Sequence, residues 1–161
     1  MKKLGILSDT HDHLERIAQA LKLLESSGAE GLLHLGDIVS PFALKAVLKF
    51  KGPLYIIYGN NDGEKVGLKK LFPELKDGPQ VFEIGGRKLG VAHSKEEVPA
   101  EYWKTCDGIF YGHSHAKINK PRTDTQPLEL NPGEGCGWLT GKPTCALLNL
   151  ETMVAEILEI K

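Results

Sequence analysis

The chain has 161 residues, of which 41% are apolar and 25% charged, a composition that fits one folded domain over 1–161 and excludes disordered and collagen-like classes. Lys and Arg total 20 against 21 Asp and Glu, for a formal charge of -1, so no polybasic surface offers itself to nucleic acid or to an anionic membrane. The longest apolar run, Leu54 to Tyr58, falls far short of the roughly 20 residues that cross a bilayer, and the reading is of a soluble cytoplasmic protein.

Lys3 to Ser8 reads as a short strand running into Asp9-Thr10-His11-Asp12, after which Leu14, Ile17, Ala18, Leu21 and Leu24 recur at helical spacing. Asp12 and Glu15 have the capping-box spacing at the start of that helix, and Gly28 is its stop signal. Gly31 to Leu35 gives a buried strand, Gly36-Asp37 a loop, and Ser40-Pro41 an N-cap with proline at the first helical position before Leu44, Val47 and Leu48. Leu54 to Tyr58 makes a third strand that ends in Gly59-Asn60-Asn61-Asp62-Gly63. Strands separated by helices predict right-handed crossovers and parallel pairing.

Near residue 78 the rhythm changes. Gln80 to Ile84, the turn Gly85-Gly86 and Lys88 to Ala92 predict a hairpin that delivers His93. Ile109 to Tyr111 is a short strand before Gly112-His113-Ser114-His115; Lys117 to Arg122, Pro127 to Leu130, Cys145 to Leu150 and Val154 to Ile160 read as further strands, mostly antiparallel. Two sheets packed together with helices outside are expected. The three cysteines, Cys106, Cys136 and Cys145, are odd in number and lack a CxxC spacing, which argues against a disulfide framework and places the chain in a reducing compartment.

Each polar cluster lies where an apolar strand ends: Asp9 and His11, Asp37, Asn60, His93, then His113 and His115. The carboxyl ends of strands line the ligand crevice of open α/β sheets, so these seven can meet. Carboxylate, imidazole and amide oxygen without thiolate form a donor set suited to Mn, Fe, Ni or Zn. Seven donors exceed one tetrahedral ion, and with one bridging carboxylate they suit two ions about 3.5 to 4 Å apart, which clamp the attacking and leaving oxygens of an in-line displacement at phosphorus.

In order and spacing, Asp9-Thr10-His11, Gly36-Asp37, Gly59-Asn60-Asn61-Asp62, His93 and Gly112-His113-Ser114-His115 resemble the motif series of calcineurin-like metallophosphoesterases. One such tripeptide alone is weak, but five in the family order are a strong signal. More narrowly the chain resembles the small single-domain prokaryotic phosphodiesterases of that superfamily, and Asn131-Pro132-Gly133-Glu134 resembles their C-terminal turn. The resemblance implies an α+β fold in four layers, α/β/β/α, with two mixed sheets sandwiched between helices. It implies that Asp9, His11 and His115 hold one divalent ion and Asn60, His93 and His113 the other, with Asp37 bridging. Asp37, Asn60 and His93 then surround a nucleophilic hydroxide shared by two ions, with Mn named first and Ni, Fe or Zn also accommodated.

Two departures stand out. Many superfamily phosphatases carry a His directly after the ligand Asn, where this chain has Asn61. An amide is no proton donor at useful pH, and general acid catalysis is normally worth about 10² to 10⁴ in rate, so diesters with easy leaving groups are favoured over monoesters. Ser94 follows His93 where the wider family has Gly.

Plainer readings stand beside these. Taken singly, Asp9, His11, Asp37 and Asn60 are turn residues, His93 is a hydrogen-bonded structural histidine, and His113 and His115 belong to a solvated loop; together they favour metal. His34 reads as a core histidine, Asp12 as a helix cap and His13 as a first-turn residue. Asp62 either orients Asn60 or a neighbouring histidine or simply shapes its turn. Trp103, Trp138 and Tyr102 read as packing residues, and Arg122 as a surface strand residue. The alternative function is a metal-binding protein-interaction scaffold, because the same resemblance extends to a small retromer subunit that mainly binds partner proteins; completeness of the donor set weighs against it. A polymer-directed nuclease is disfavoured by the lack of basic patches, leaving a small phosphodiester as the expected substrate. A dimer through exposed C-terminal strand residues stays open.

Overall fold

Lys3–Leu7 (β1) alternates in the way a strand between two cores must. Leu4 and Ile6 point into one apolar cluster and Leu7 into another, while at Gly5 a Cβ would press to 2.9 Å from Leu24 of the first helix. The computed structural model describes all residues, 1–161. Leu14–Ser26 (α1) follows, then Gly31–His34 (β2), Pro41–Val47 (α2), Leu54–Ile56 (β3) and Lys65–Leu71 (α3). Gln80–Ile84 (β4) and Arg87–Val91 (β5) form the hairpin, followed by Tyr102–Thr105 (α4), Gly108–Phe110 (β6), Lys117–Lys120 (β7), Leu128–Pro132 (β8), Thr144–Asn149 (β9) and Val154–Glu159 (β10).

The strands form two mixed five-stranded sheets, ordered β10-β9-β1-β2-β3 and β4-β5-β6-β8-β7. Between them lies an apolar layer that includes Leu4, Ile6, Leu33, Phe82, Leu89, Phe110, Leu130 and Leu148. A second layer, with Leu7, Ile17, Leu24, Leu32, Leu44, Val47 and Leu68, joins the first sheet to α1, α2 and α3. The small α4 lies on the outer face of β5 and β6, where Gly90 leaves room for Tyr102 and Cys106. These are the four expected layers. No helix is long and apolar enough to cross a membrane.

β1 pairs parallel with β2, and β2 with β3, as the helical crossovers predict. The second half is mostly antiparallel, as expected, through β4–β5, β7–β8, β9–β10 and β1–β9, but β5 pairs parallel with β6 and β6 with β8. That parallelism carries the ends of β5, β6 and β8 to one edge of the second sheet. The change of rhythm near residue 78 marks no separate unit, since the β9–β10 hairpin returns to β1 of the first sheet.

Local signals held unevenly. Ser40 caps α2, its hydroxyl accepting from the Ala43 amide, with Pro41 at the first helical position. The expected Asp12 cap of α1 is absent: His13 takes the N-cap position without a side-chain hydrogen bond. Asp12 Oδ1 instead accepts from the Ser40 amide at 3.0 Å and its hydroxyl at 2.6 Å, tying two loops together. Helix α3 buries Leu68 fully and packs Leu71 and Phe72 partly against the same layer.

Candidate metal centre

The loops after β1 and β2 are laced together by their backbones. The amides of Asp9, Thr10, His11 and Asp12 donate to the carbonyls of Gly36, Asp37, Asp37 and Ile38. This lacing holds Asp9, His11, Asp12 and Asp37 at positive φ, between 40° and 58°. His113 and His115 share that conformation, with φ 62° and 58°. Five of the seven candidate donors thus sit in the left-handed region that non-glycine residues avoid, each at a cost of about 1–3 kcal/mol. The motif glycines have a matching reason. A Cβ at Gly59 would collide with Asp37 Oδ1, and one at Gly112 with Ser8 Oγ and Asp9 Oδ2, so the chain approaches the carboxylates closely enough to exclude any side chain there.

The structure brings all seven donors together. Asp9 Oδ1 lies 3.9 Å from His11 Nε2 and 3.6 Å from His115 Nε2. Asn60 Oδ1 lies 2.8 Å from His93 Nε2 and 2.9 Å from His113 Nδ1. Asp37 Oδ2 lies between these groups, 3.6 Å from His11 Nε2 and 3.3 Å from His93 Nε2. The His11 and His115 rings stack at 5.3 Å, and those of His93 and His113 meet edge to face at 5.2 Å.

Hydrogen bonding separates atoms that have partners from atoms that lack them. Asp9 Oδ1 and His11 Nε2 are buried with no hydrogen-bond partner, as is Ser8 Oγ beside them. An unpartnered buried carboxylate oxygen is costly in an apo protein, and a divalent cation is the partner that both atoms fit. Burial pushes the Asp9 carboxyl above its ordinary range. At Asp37 burial pushes the same way, but the His93 imidazole and the Asn61 side-chain and backbone N–H groups outweigh it and hold the carboxyl well below the ordinary range. His93 is the other half of that pair: burial lowers it, and the adjacent Asp37 with the Leu35 carbonyl raises it to about 9.

The surroundings fix each donor. His93 Nδ1–H donates to the Leu35 carbonyl at 2.8 Å, turning Nε2 toward Asp37 and Asn60. Asp62, 2% exposed, accepts from the amides of Asp37, Gly59 and Val39 at 3.0, 2.7 and 2.6 Å. It anchors the backbones that carry Asp37 and Asn60 and makes no hydrogen bond to Asn60's side chain or to a histidine. Asn61 donates from its backbone N–H and its side-chain Nδ2 to the two Asp37 oxygens, each at 2.8 Å. His34 is a core histidine as expected, its ring between Thr10 Oγ1 and the Gly36 amide, and burial pushes it down to about 3, so it is neutral.

Sequence reasoning missed the role of Glu134. This fully buried carboxylate accepts from His115 Nδ1–H at 2.7 Å, yet a residue 19 positions away gives no local pattern to find. With Cys136 these two form a further compact group, but its atoms are already paired, Cys136 Sγ lying 3.4 Å from Glu134 Oε2. Burial pushes the Cys136 thiol up to about 12, so it is protonated in the metal-free chain. Trp138 also departs from its reading as a packing residue. It is 63% exposed and stacks on His13 at 4.7 Å. Arg122 pairs with Asp107 at 2.9 Å, away from the donors, and all three cysteines are free thiols.

Comparison with known proteins shows which family and fold the chain shares. Residues 1–153 match the model of the calcineurin-like phosphoesterase superfamily domain. Phosphodiesterase MJ0936 of Methanocaldococcus jannaschii is 34% identical over 92% of this chain and 93% of its own length. Phosphodiesterase YfcE of Escherichia coli is 27% identical over 83% and 79%. Among solved structures, an archaeal phosphodiesterase superposes with a TM-score of 0.86 at 34% identity, covering 98% of this chain and 99% of that one. Vps29 of Chaetomium thermophilum gives a TM-score of 0.70 at 18% identity, covering 99% and 96%, and shares the fold.

Proposed function

The chain belongs to the calcineurin-like phosphoesterase superfamily, and from that membership we propose that its 161 residues act as one domain hydrolysing a small phosphodiester. Asp9, His11 and His115 would hold one divalent ion and Asn60, His93 and His113 a second, with Asp37 shared between them. When bound, two such ions supply an acidified water as nucleophile and positive charge opposite the phosphoryl oxygens. The observation that carries the reading is the unpartnered pair Asp9 Oδ1 and His11 Nε2, supported by relatives named as phosphodiesterases along most of the chain. Mn²⁺ is the first candidate, and Ni, Fe and Zn suit the same donors. A reducing cytoplasm suits the three free thiols.

The protein's own residues shape the reaction in two ways. Asp37 is held as a carboxylate by His93 and Asn61, and Asp62 fixes its backbone, so its charge stands ready before substrate arrives. Asn61 directs its backbone N–H and one side-chain N–H to Asp37, and an amide has no acidic proton to give the leaving oxygen. Hydrolysis therefore depends on leaving groups that depart as stable anions, which favours diesters with such groups over alkyl monoesters.

The test is hydrolysis of a chromogenic phosphodiester and its monoester counterpart by chelator-stripped protein, with and without Mn²⁺. Metal-dependent turnover of the diester that exceeds the monoester is expected, with a loss of about 10²- to 10³-fold in Asp37→Ala. Folded protein inactive with every metal would turn the reading to a binding scaffold.

A further inference from the structure

Glu134 has no exposed surface, yet it follows β8 in a loop rich in glycine. Its oxygens are fully engaged. Oε1 accepts from the Thr140 hydroxyl at 2.6 Å, the Thr140 amide at 2.5 Å and the Leu139 amide at 3.1 Å. Oε2 accepts from the Leu139 amide at 3.1 Å, from Cys136 Sγ–H at 3.4 Å and from His115 Nδ1–H at 2.7 Å. The carboxylate is thus pinned from one side by the 139–140 backbone and grips the imidazole on the other. His115 Nε2, at the opposite end of that ring, faces Asp9 Oδ1 at 3.6 Å.

No other donor of the centre is held this way. His93 is oriented by a neutral carbonyl, and His113 Nδ1 faces Asn60 itself. A carboxylate on the far nitrogen fixes the tautomer of an imidazole and raises its basicity as a ligand. We propose that Glu134 is a positioning residue for His115 that sets how tightly the Asp9, His11 and His115 position binds its ion, leaving the Asn60, His93 and His113 position independent of it. The two metal positions are then unequal by construction, and one of them is controlled from a loop that contributes no ligand. The inference rests on the two-ion reading above.

The experiment titrates Mn²⁺ into the chelator-stripped full chain by calorimetry, for wild type, Glu134→Ala, Glu134→Gln and Thr140→Val. Wild type takes up two equivalents. In Glu134→Ala one equivalent weakens by about 10- to 100-fold while the other keeps its affinity, and Glu134→Gln, which keeps an acceptor oxygen, recovers part of the loss. Thr140→Val leaves the carboxylate in place but removes its hydroxyl donor, weakens the same equivalent by less, and decides the matter if the Glu134 variants do not fold. Nitrogen NMR of the metal-free proteins reads the tautomer independently: His115 carries its proton on Nδ1 in wild type and shifts toward Nε2 in Glu134→Ala, with His93 unchanged. Equal weakening of both equivalents, or of neither, in folded variants overturns the inference and leaves the two-ion reading intact. Failure of wild type to bind two equivalents overturns both.

Discussion

Asp9, at the end of β1, and Glu129, on the outer face of β8, are both buried carboxylates, and they are held in opposite ways. Glu129 accepts from Lys95 at 2.6 Å, Lys120 at 2.9 Å and the Tyr111 hydroxyl at 2.5 Å. Burial would push its carboxyl up, but these three donors outweigh it and hold the group at about 2. Asp9 has one backbone donor, the His113 amide on Oδ2; its Oδ1 has none, and burial pushes it upward. Its backbone is also in the left-handed region. A carboxylate whose partners are all within the chain stabilises the fold, whereas one left short of a partner on a strained backbone is kept for a ligand.

Substitution should therefore act with opposite sign at the two sites. Asp9→Asn is expected to reduce diester turnover by about 10²- to 10³-fold while raising the melting temperature of the metal-free protein by about 2–4 °C, the shift for roughly 1 kcal/mol in a chain of this size. A lowered melting temperature would show that Asp9 has a stabilising partner after all. Next in size is the metal itself. Stripping with chelator should lower stability by about 2.7 kcal/mol for each ion held at a hundredfold excess over its dissociation constant, and Asp9→Asn should lose the share of the ion held by Asp9, His11 and His115 in a thermal melt.

Glu129→Gln should cost about 1.5–3 kcal/mol, the range for hydrogen bonds to a charged group, with turnover unchanged. Because folding holds Glu129 below its ordinary value, its contribution is complete above the ordinary carboxylate range and is lost as pH falls toward about 2. The wild-type and Glu129→Gln denaturation midpoints, measured on metal-free protein, should converge over that interval. The smallest effect is expected at Ser40→Ala, where loss of the α2 cap costs about 0.5–2 kcal/mol, read by urea unfolding.

The two sites also differ in how far the sequence announces them. The donors of the centre follow short apolar runs and sit in tight turns, so the ends of β1, β2, β3, β5 and β6 were readable from local pattern. The hairpin at Gly85-Gly86 was readable for the same reason. Contacts made across the fold were not. The parallel pairing of β5, β6 and β8 depends on crossovers with no regular helix to mark them, and α4 is four residues long. Asp12 has the spacing of a cap, but its carboxylate reaches Ser40, 28 positions away. Glu134 and Glu129 look alike in sequence, and only their partners, 19 and 34 positions off for His115 and Lys95, tell them apart.

Anomalous diffraction from crystals of the full chain soaked in Mn²⁺ locates the ions without reference to turnover. Two peaks are expected, one bounded by Asp9, His11 and His115 and the other by Asn60, His93 and His113, with the Asp37 carboxylate touching both. A single peak, or one seated between His115, Glu134 and Cys136, would contradict the dinuclear centre.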